Sequence, residues 1–397
     1  MGRDTAAVRA VNVEETPPRP AAEQQPDWGD RRLLRRVRAE LRERPGLVTA
    51  EDTARLRELL GEVATGKRRI LQAGDCAEDP ADCTASGVRR TVRLLDELAG
   101  VMQAGTGRRV LRIGRLAGQF AKPRSRPVDR SGGLELPAYR GPMVNAPEAD
   151  PVAREPDPRR LLTGYDLSRT VQSALAAQGR GPAGDAGSAV WTSHEALLLD
   201  YEQPLLRTSG GGRSLLASTH LPWIGERTRQ PDGAHVQLLS RVVNPVACKV
   251  GPTTTAGELL ALCAVLDPDR SPGRLTLVVR MGADGVRDAL PPLVRSVRAA
   301  GHPVIWLCDP MHGNTVRAAD GRKTRIVAAL IDEVETFQDV VLAEHGAAGG
   351  LHLEATGHPV AECVWASGEA PGVPYTTLCD PRLNPVQARH VALAWHA

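Results

Sequence analysis

Apolar residues recur along this chain in two alternating rhythms. Short, near-continuous apolar runs of the kind that form buried strands occupy 68–74, 108–114, 189–194, 220–225, 245–250, 274–280, 302–308 and 349–354. Between them the spacing becomes that of one helical face. Val88, Val92, Leu95 and Leu98 form one such stripe. Leu259, Leu262 and Val265 form another, behind the capping box Thr255-x-x-Glu258. Val286, Leu290, Leu293 and Val297 form a third, and Ile326, Leu330, Val334 and Val341 a fourth. The fourth to seventh apolar runs begin 25 to 29 residues apart, the length of a strand–helix unit. Eight alternations predict an α/β protein built as a (β/α)8 TIM barrel, with a doubly wound open sheet as the competing architecture.

Ahead of the first run, Leu33, Val37 and Leu41 predict one helix, and Leu56, Leu59, Leu60 and Val63 a second that Thr49 and Asp52 cap. These define an N-terminal helical extension over 29–66, packed outside the barrel or across one end, before a catalytic barrel over 67–397. Residues 1–28 are rich in Pro, Glu and Gln without a period and read as a disordered or extended arm whose removal leaves activity intact. Segment 117–188, rich in Pro, Gly and Arg, reads as irregular, with a long active-site loop and surface excursions.

Composition narrows the picture. A hydrophobic content of 42% suffices for a large core. Fifty basic against 47 acidic residues, a net +3, give no reason to expect nucleic acid. No apolar run has membrane-spanning length, and the N-terminus carries no apolar signal region. Seven cysteines, an odd number, fit a reducing cytoplasm better than a disulfide framework.

Chemistry gathers where the apolar runs end. The run Val304-Ile305-Trp306-Leu307 passes into Cys308-Asp309-Pro310-Met311-His312, and comparable ends occur at Cys76, Glu354 and, one loop later, Asp380. In a barrel all of these face one mouth. Cys76, His312, Glu354 and Asp380 make a mixed S, N and O set suited to a divalent ion of the Mn²⁺, Co²⁺, Fe²⁺ or Zn²⁺ kind with open positions. Singly, Cys76 also fits a small buried residue and His312 a loop histidine. Arg115, Arg227, Lys249 and Arg280 form a second class, four cations that would repel unless an anion such as a phosphate-carboxylate sits among them. Lys122-Pro123-Arg124-Ser125 fits a second phosphate site or a solvated basic loop. His194 reads as structural, with Glu195 beside it able to reach the mouth.

Ten stretches in order, including LQAGDCAE (71–78), GRLAGQFAKPRS (114–125), WIGERTRQPDGAH (223–235), NPVACKVGP (244–252), GHPVIWLCDPMHGNT (301–315), HLEATG (352–357) and CDPRLN (379–384), resemble the type II, plant-type family of 3-deoxy-D-arabino-heptulosonate 7-phosphate (DAHP) synthases. The resemblance spans about 70–384. It implies a metal-dependent transferase on a (β/α)8 barrel that condenses phosphoenolpyruvate with erythrose 4-phosphate, opening the shikimate route to chorismate and the aromatic amino acids. It implies metal ligands at Cys76, His312, Glu354 and Asp380, with Mn²⁺ or Co²⁺ first and Zn²⁺ or Fe²⁺ after them. It implies a phosphoenolpyruvate site at Arg115, Glu226, Arg227, Lys249 and Arg280. The erythrose 4-phosphate site falls on Lys122, Pro123, Arg124, Ser125 and Asp309. Lys249, Cys76 and His312 are the implied catalytic set, with Lys249 as proton donor to the aldehyde oxygen.

Residues 163–190 are short and Gly/Ala-rich where primary-metabolism members carry extra helices. This predicts a secondary-metabolism form, of the antibiotic-biosynthesis kind, insensitive to Phe, Tyr and Trp. Cys379 beside Asp380 suggests that oxidation with Cys76 would remove a ligand. Two further readings stand: an aminoDAHP synthase taking an amino- or imino-tetrose phosphate, and a non-catalytic homologue serving as a regulatory partner. A homo-oligomer, dimer or tetramer, is expected, with a chorismate mutase as a candidate partner.

Overall fold

The structure, a computed structural model, describes residues 21–131, 134–184, 187–209 and 213–397. Eight parallel strands close into a barrel: β1 (Arg68–Gly74), β2 (Arg109–Arg115), β3 (Val190–Glu195), β4 (Leu221–Ile224), β5 (Val246–Val250), β6 (Leu275–Val279), β7 (Ile305–Cys308) and β8 (Ala347–Glu354). The ladder between β8 and β1, with Gly350 opposite Ile70 and Glu354 opposite Gly74, closes the ring and excludes the open sheet. The longer helices are α1 (Arg31–Glu43), α2 (Ala50–Ala64), α3 (Ala85–Thr106), α4 (Arg159–Ala177), α5 (Ala234–Ser240), α6 (Ala256–Leu266), α7 (Ala283–Ala299), α8 (Val327–Ala343) and α9 (Pro385–Leu393). Among the described residues, no helix is long and apolar enough to cross a membrane.

Alternate residues of each strand face inward, and these build two zones. The lower zone is apolar: Ile70, Leu111, Ile113, Trp191, Leu221, Ala247, Val278 and Ile305 pack together. Leu56, Leu59, Leu60 and Val63 of α2 join that same cluster, so α2 closes the N-terminal end of the barrel. Burying each of the Leu, Ile and Val side chains contributes about 1.5–3 kcal/mol. The helical stripes pack against the outer strand faces in a second, larger cluster. The upper inward positions are polar and form the floor of the site.

Segment 117–188 is more ordered than its composition suggests. It holds a hairpin of Val128–Ser131 with Leu134–Pro137, a helical turn at Pro151–Arg154, and the 19-residue α4. Leu161, Tyr165, Ser168, Val171 and Leu175 form the buried face of α4. Gly164 and Ser168 thin the apolar stripe, which is why periodicity alone passes over it. A second hairpin, Thr315–Arg317 with Lys323–Arg325, stands between β7 and α8. Of the segment read as an arm, residues 1–20 lie outside the described residues, whereas 21–28 are docked on the barrel, with Trp28 buried against Asp200.

Candidate active site

The inward alternation that places Leu111 and Ile113 in the lower core lifts Arg115 to the top of β2. The same rule lifts Glu195 above Trp191 and Ser193, Lys249 above Ala247, and Glu354 above His352. Arg280 and Asp309 follow directly on β6 and β7. A cavity of about 950 Å³ opens at this end. Its lining brings together Cys76, Arg115, Lys122, Pro123, Arg124, Ser125, Glu226, Arg227, Lys249, Arg280, His312, Glu354 and Asp380. Asp309 lies just behind the wall, fully buried between Lys249 and His312. Gly74 ends β1 at φ +152°, where a Cβ would come within 2.7 Å of the Arg115 carbonyl oxygen. Only glycine lets the chain turn there and carry Cys76 over the mouth.

On one side of the cavity, ligand atoms of Cys76, Glu354 and Asp380 all lie within 4.8 Å of one another. His312 stands at the edge of this group, its Nε2 3.1 Å from Glu354 Oε1. A thiol and two carboxylates packed this closely need a cation. Here the Lys122 ammonium contacts Cys76 Sγ and Asp380 Oδ2 and lies 3.9 Å from Glu354 Oε1. A cationic group therefore already stands among these donors, and the S, O and neighbouring N atoms suit a borderline divalent ion. The charges are strongly set. Burial pushes the Glu354 carboxyl up, but His312, Lys122 and Arg325 outweigh it and hold it well below the usual range. Asp380 is lowered too, because Lys122 overcomes the burial cost. Burial, the Cys379 thiol and the Glu354 charge push the Cys76 thiol up, while the hydrogen bond with Cys76 draws Cys379 down.

The other side is cationic. Arg115 Nη2 lies 2.9 Å from Glu354 Oε1, and its guanidinium stacks 5.2 Å over the Trp223 ring. Its Nη1 meets Nε2 of His352 at 2.5 Å, and His352 Nδ1 meets Gln72 Oε1 at 2.7 Å. Burial, with the charges of Lys249 and Arg115, holds His352 neutral, as an acceptor toward that guanidinium requires. Lys249 pairs with Asp309 Oδ2, which also lies 2.8 Å from His312 Nδ1. Burial lowers Lys249 to about 8 despite Asp309, with Arg115 and Arg280 adding to the fall. Arg280 Nη2 donates to the His312 carbonyl at 3.0 Å. Arg227, on the exposed rim, donates to Ser125 Oγ at 2.6 Å, joining the β4 end to the Lys122–Ser125 loop. Arg124 forks onto Asp129 at 2.9 and 3.0 Å.

The structure thus places Lys122 toward the thiol and carboxylates, not beside Arg124 and Ser125. His194 is structural, bonded to Glu202 at 2.8 Å. Glu195 lines the cavity, and its Oε1 has no hydrogen-bond partner among the described residues. Sequence reading placed it near the mouth without a role, yet its position two residues beyond Ser193 in an inward-facing series marks it. Arg325 and Lys323 were missed. Arg325 is fully buried with Nη2 2.8 Å from Glu354 Oε2, and Lys323 Nζ is 2.7 Å from Asp380 Oδ1. Their signal is positional: cations immediately before a helix oppose its dipole and need another reason to be there. Glu333 of α8 was also missed. It accepts from Met281 N–H at 3.1 Å, Gly282 N–H at 2.8 Å and Asn314 Nδ2 at 2.6 Å, tying the β6 end to the His312 loop.

Residues 15–189 and 184–395 match the class-II DAHP synthetase family. The chain is 52% identical over 379 residues to a "probable phospho-2-dehydro-3-deoxyheptonate aldolase" of Pseudomonas fluorescens, covering 94% of each chain. It is 40% identical to a phospho-2-dehydro-3-deoxyheptonate aldolase of Streptomyces coelicolor, again over 94% of each, and 39% identical to one of Mycolicibacterium smegmatis, over 94% of this chain and 91% of that one. Among solved structures, a phospho-2-dehydro-3-deoxyheptonate aldolase from Francisella tularensis superposes with a TM-score of 0.54 over 91% of this chain and 97% of its own. At 14% identity this likeness speaks to the barrel alone.

Proposed function

The chain belongs to the class-II DAHP synthetase family, and on that premise we propose how its cavity carries out the condensation of phosphoenolpyruvate with erythrose 4-phosphate to DAHP and phosphate. One observation carries the reading: a thiol–carboxylate cluster and a nest of buried cations share a single cavity, bridged by Glu354, which touches both Arg115 and His312. Phosphoenolpyruvate, with its phosphate and carboxylate, takes the side of Arg115, Glu226, Arg227, Lys249 and Arg280. The tetrose phosphate takes the loop of Pro123, Arg124 and Ser125, with Lys122 reaching from that loop toward Cys76 and Asp380 and Asp309 acting from behind the wall through Lys249 and His312. Cys76, Glu354 and Asp380, with His312 beside them, would hold a divalent metal, Mn²⁺ or Co²⁺ in our reading. When bound, such an ion supplies Lewis-acid polarisation of the aldehyde.

The protein's own groups do the rest. Arg115 and Arg280 hold the enol phosphate so that its carbon 3 faces the aldehyde carbon. As the new C–C bond forms, the Lys249 ammonium delivers a proton to the aldehyde oxygen, and a value near 8 suits a donor at neutral pH. Asp309 keeps Lys249 and His312 in register through one carboxylate. Water adds to the positive carbon 2 and returns its surplus proton to Lys249, and the hemiketal hydroxyl gives its proton to the departing phosphate as the C–O bond breaks, leaving the ketone of DAHP and inorganic phosphate. The buried guanidiniums stay paired with that phosphate through the charge shift.

The finer assignment is to a short form serving secondary metabolism. Its support is the Gly/Ala-rich composition of 163–190; α4 is the one long helix between β2 and β3 among the described residues. The test is phosphate release with both substrates, before and after EDTA and after adding Mn²⁺ or Co²⁺. Release should vanish with EDTA and return with metal. Persistence of full activity after exhaustive chelation would overturn the metal assignment, and no release from the metal-loaded enzyme would overturn the reaction itself.

A further inference from the structure

Residues 21–28 form a strap, turned at Glu23–Gln24, that is fastened to three segments around the mouth. Ala21 O accepts from Ala234 N–H at 2.9 Å, at the start of α5. Gln25 Nε2 donates to Leu197 O at 2.8 Å, and its Oε1 accepts from Leu199 N–H at 3.0 Å, in the loop after β3. Trp28 Nε1 donates to Asp200 at 2.9 Å. Gln24 reaches the loop after β2. Its Oε1 accepts from the Arg124 backbone N–H at 2.9 Å, and its carbonyl accepts from Arg140 Nη1 at 3.1 Å. The Arg140 carbonyl in turn accepts from Lys122 N–H at 2.8 Å. Gln24 therefore holds Lys122–Ser125 from outside at two points, one directly and one through Arg140. It does so from φ +62°, a left-handed backbone that costs a non-glycine residue energy.

We propose that Gln24 is a positioning residue for the tetrose-phosphate end of the cavity, acting through the Lys122–Ser125 loop. The proposal rests on the reading of that loop given above. Arg124's guanidinium is already committed to Asp129, so the loop offers the ligand its backbone frame, the Ser125 hydroxyl and the charge behind it. That frame hangs on the strap. A peptide N–H freed at Arg124 lets the loop rearrange, and the loss falls mainly on the phosphate of the tetrose, because Arg115, Lys249 and Arg280 on the phosphoenolpyruvate side stand at strand ends and only Arg227 touches the loop.

The test is steady-state kinetics of the metal-loaded, full-length enzyme carrying Gln24→Gly. Glycine accepts the left-handed backbone without strain, so the strap keeps its course and only the side-chain acceptor is removed. The KM for erythrose 4-phosphate should rise roughly five- to tenfold, the factor one net hydrogen bond carries, while kcat and the KM for phosphoenolpyruvate stay within about twofold. Gln24→Glu, which keeps an acceptor oxygen, should restore the parent KM. An unchanged tetrose KM in Gln24→Gly, or equal changes in both KM values and kcat, would overturn the proposal. Arg124→Ala and Ser125→Ala separate its failure from that of the underlying reading. If these raise the tetrose KM and Gln24→Gly does not, only the strap's role falls. If neither raises it, the assignment of the loop falls as well.

Discussion

Lys249 shows how one side chain is tuned by its place in the barrel. It is an inward residue on β5, dry, flanked by guanidiniums and paired with one carboxylate, and burial brings it down to about 8. Below that value it is charged and can give a proton; above it the proton is gone. The kcat for phosphate release should therefore fall as pH rises through about 8, and Lys249→Met should lower it by about 10²–10⁴-fold below pH 8, a deficit that shrinks above it as the parent loses the same proton. A pH profile with no descending limb near 8 would remove Lys249 as the acid. Glu333 gives the opposite kind of linkage. Burial first, then the Asp309 charge, raises it from 4.5 to about 8. The native state thus binds a proton that the unfolded chain releases near 4.5. The stability this contributes is complete below 4.5 and is lost as pH climbs to about 8. Thermal midpoints of Glu333→Gln should decline less over that interval than those of the parent. At this scale the sequence was legible wherever a charged residue ended an apolar run: Arg115, Lys249, Arg280, His312 and Glu354 all reach one cavity. It was not legible for Arg325 and Lys323, because the hairpin that folds them back over Glu354 and Asp380 has no period long enough to declare itself.

At the level of elements, the strands were readable to within one to three residues because each is a dense apolar run with a charged end. Helix α4 was not, because Gly164 and Ser168 sit on its buried face and pack by smallness: a Cβ on Gly164 would come 2.3 Å from the Met143 methyl. Helix α2 was predicted from its stripe, yet the stripe could not say what it covers. It covers the barrel floor, and Leu60 is fully buried there. Leu60→Ala should cost about 2–5 kcal/mol by leaving a cavity between helix and barrel. Denaturant midpoints would measure the loss, and a change under about 0.5 kcal/mol would mean that α2 is not an integral part of the core.

Over the whole molecule, the alternation of apolar runs pointed to the closed barrel and their charged ends to the position of its site, and the chain's own long-range contacts supplied what local pattern omits. The docked strap is the main example, since hydrogen bonds spanning 100 residues or more leave no trace in local pattern. The compact stretch between β2 and β3 bears on control. We expect phosphate release to be unaffected by Phe, Tyr or Trp at concentrations well above those of the substrates, and strong inhibition by any one of them would overturn this. Closure of the barrel floor by α2 carries a consequence for the order of events. With the bottom plugged, reactants and product share one doorway. Arg115 and Lys249 lie at its inner end, 2% and 5% exposed, whereas Ser125 and Arg227 stand on the threshold. On the proposed assignment a tetrose lodged at the threshold would bar the way to the inner seat, so we expect phosphoenolpyruvate to enter first and the sugar second.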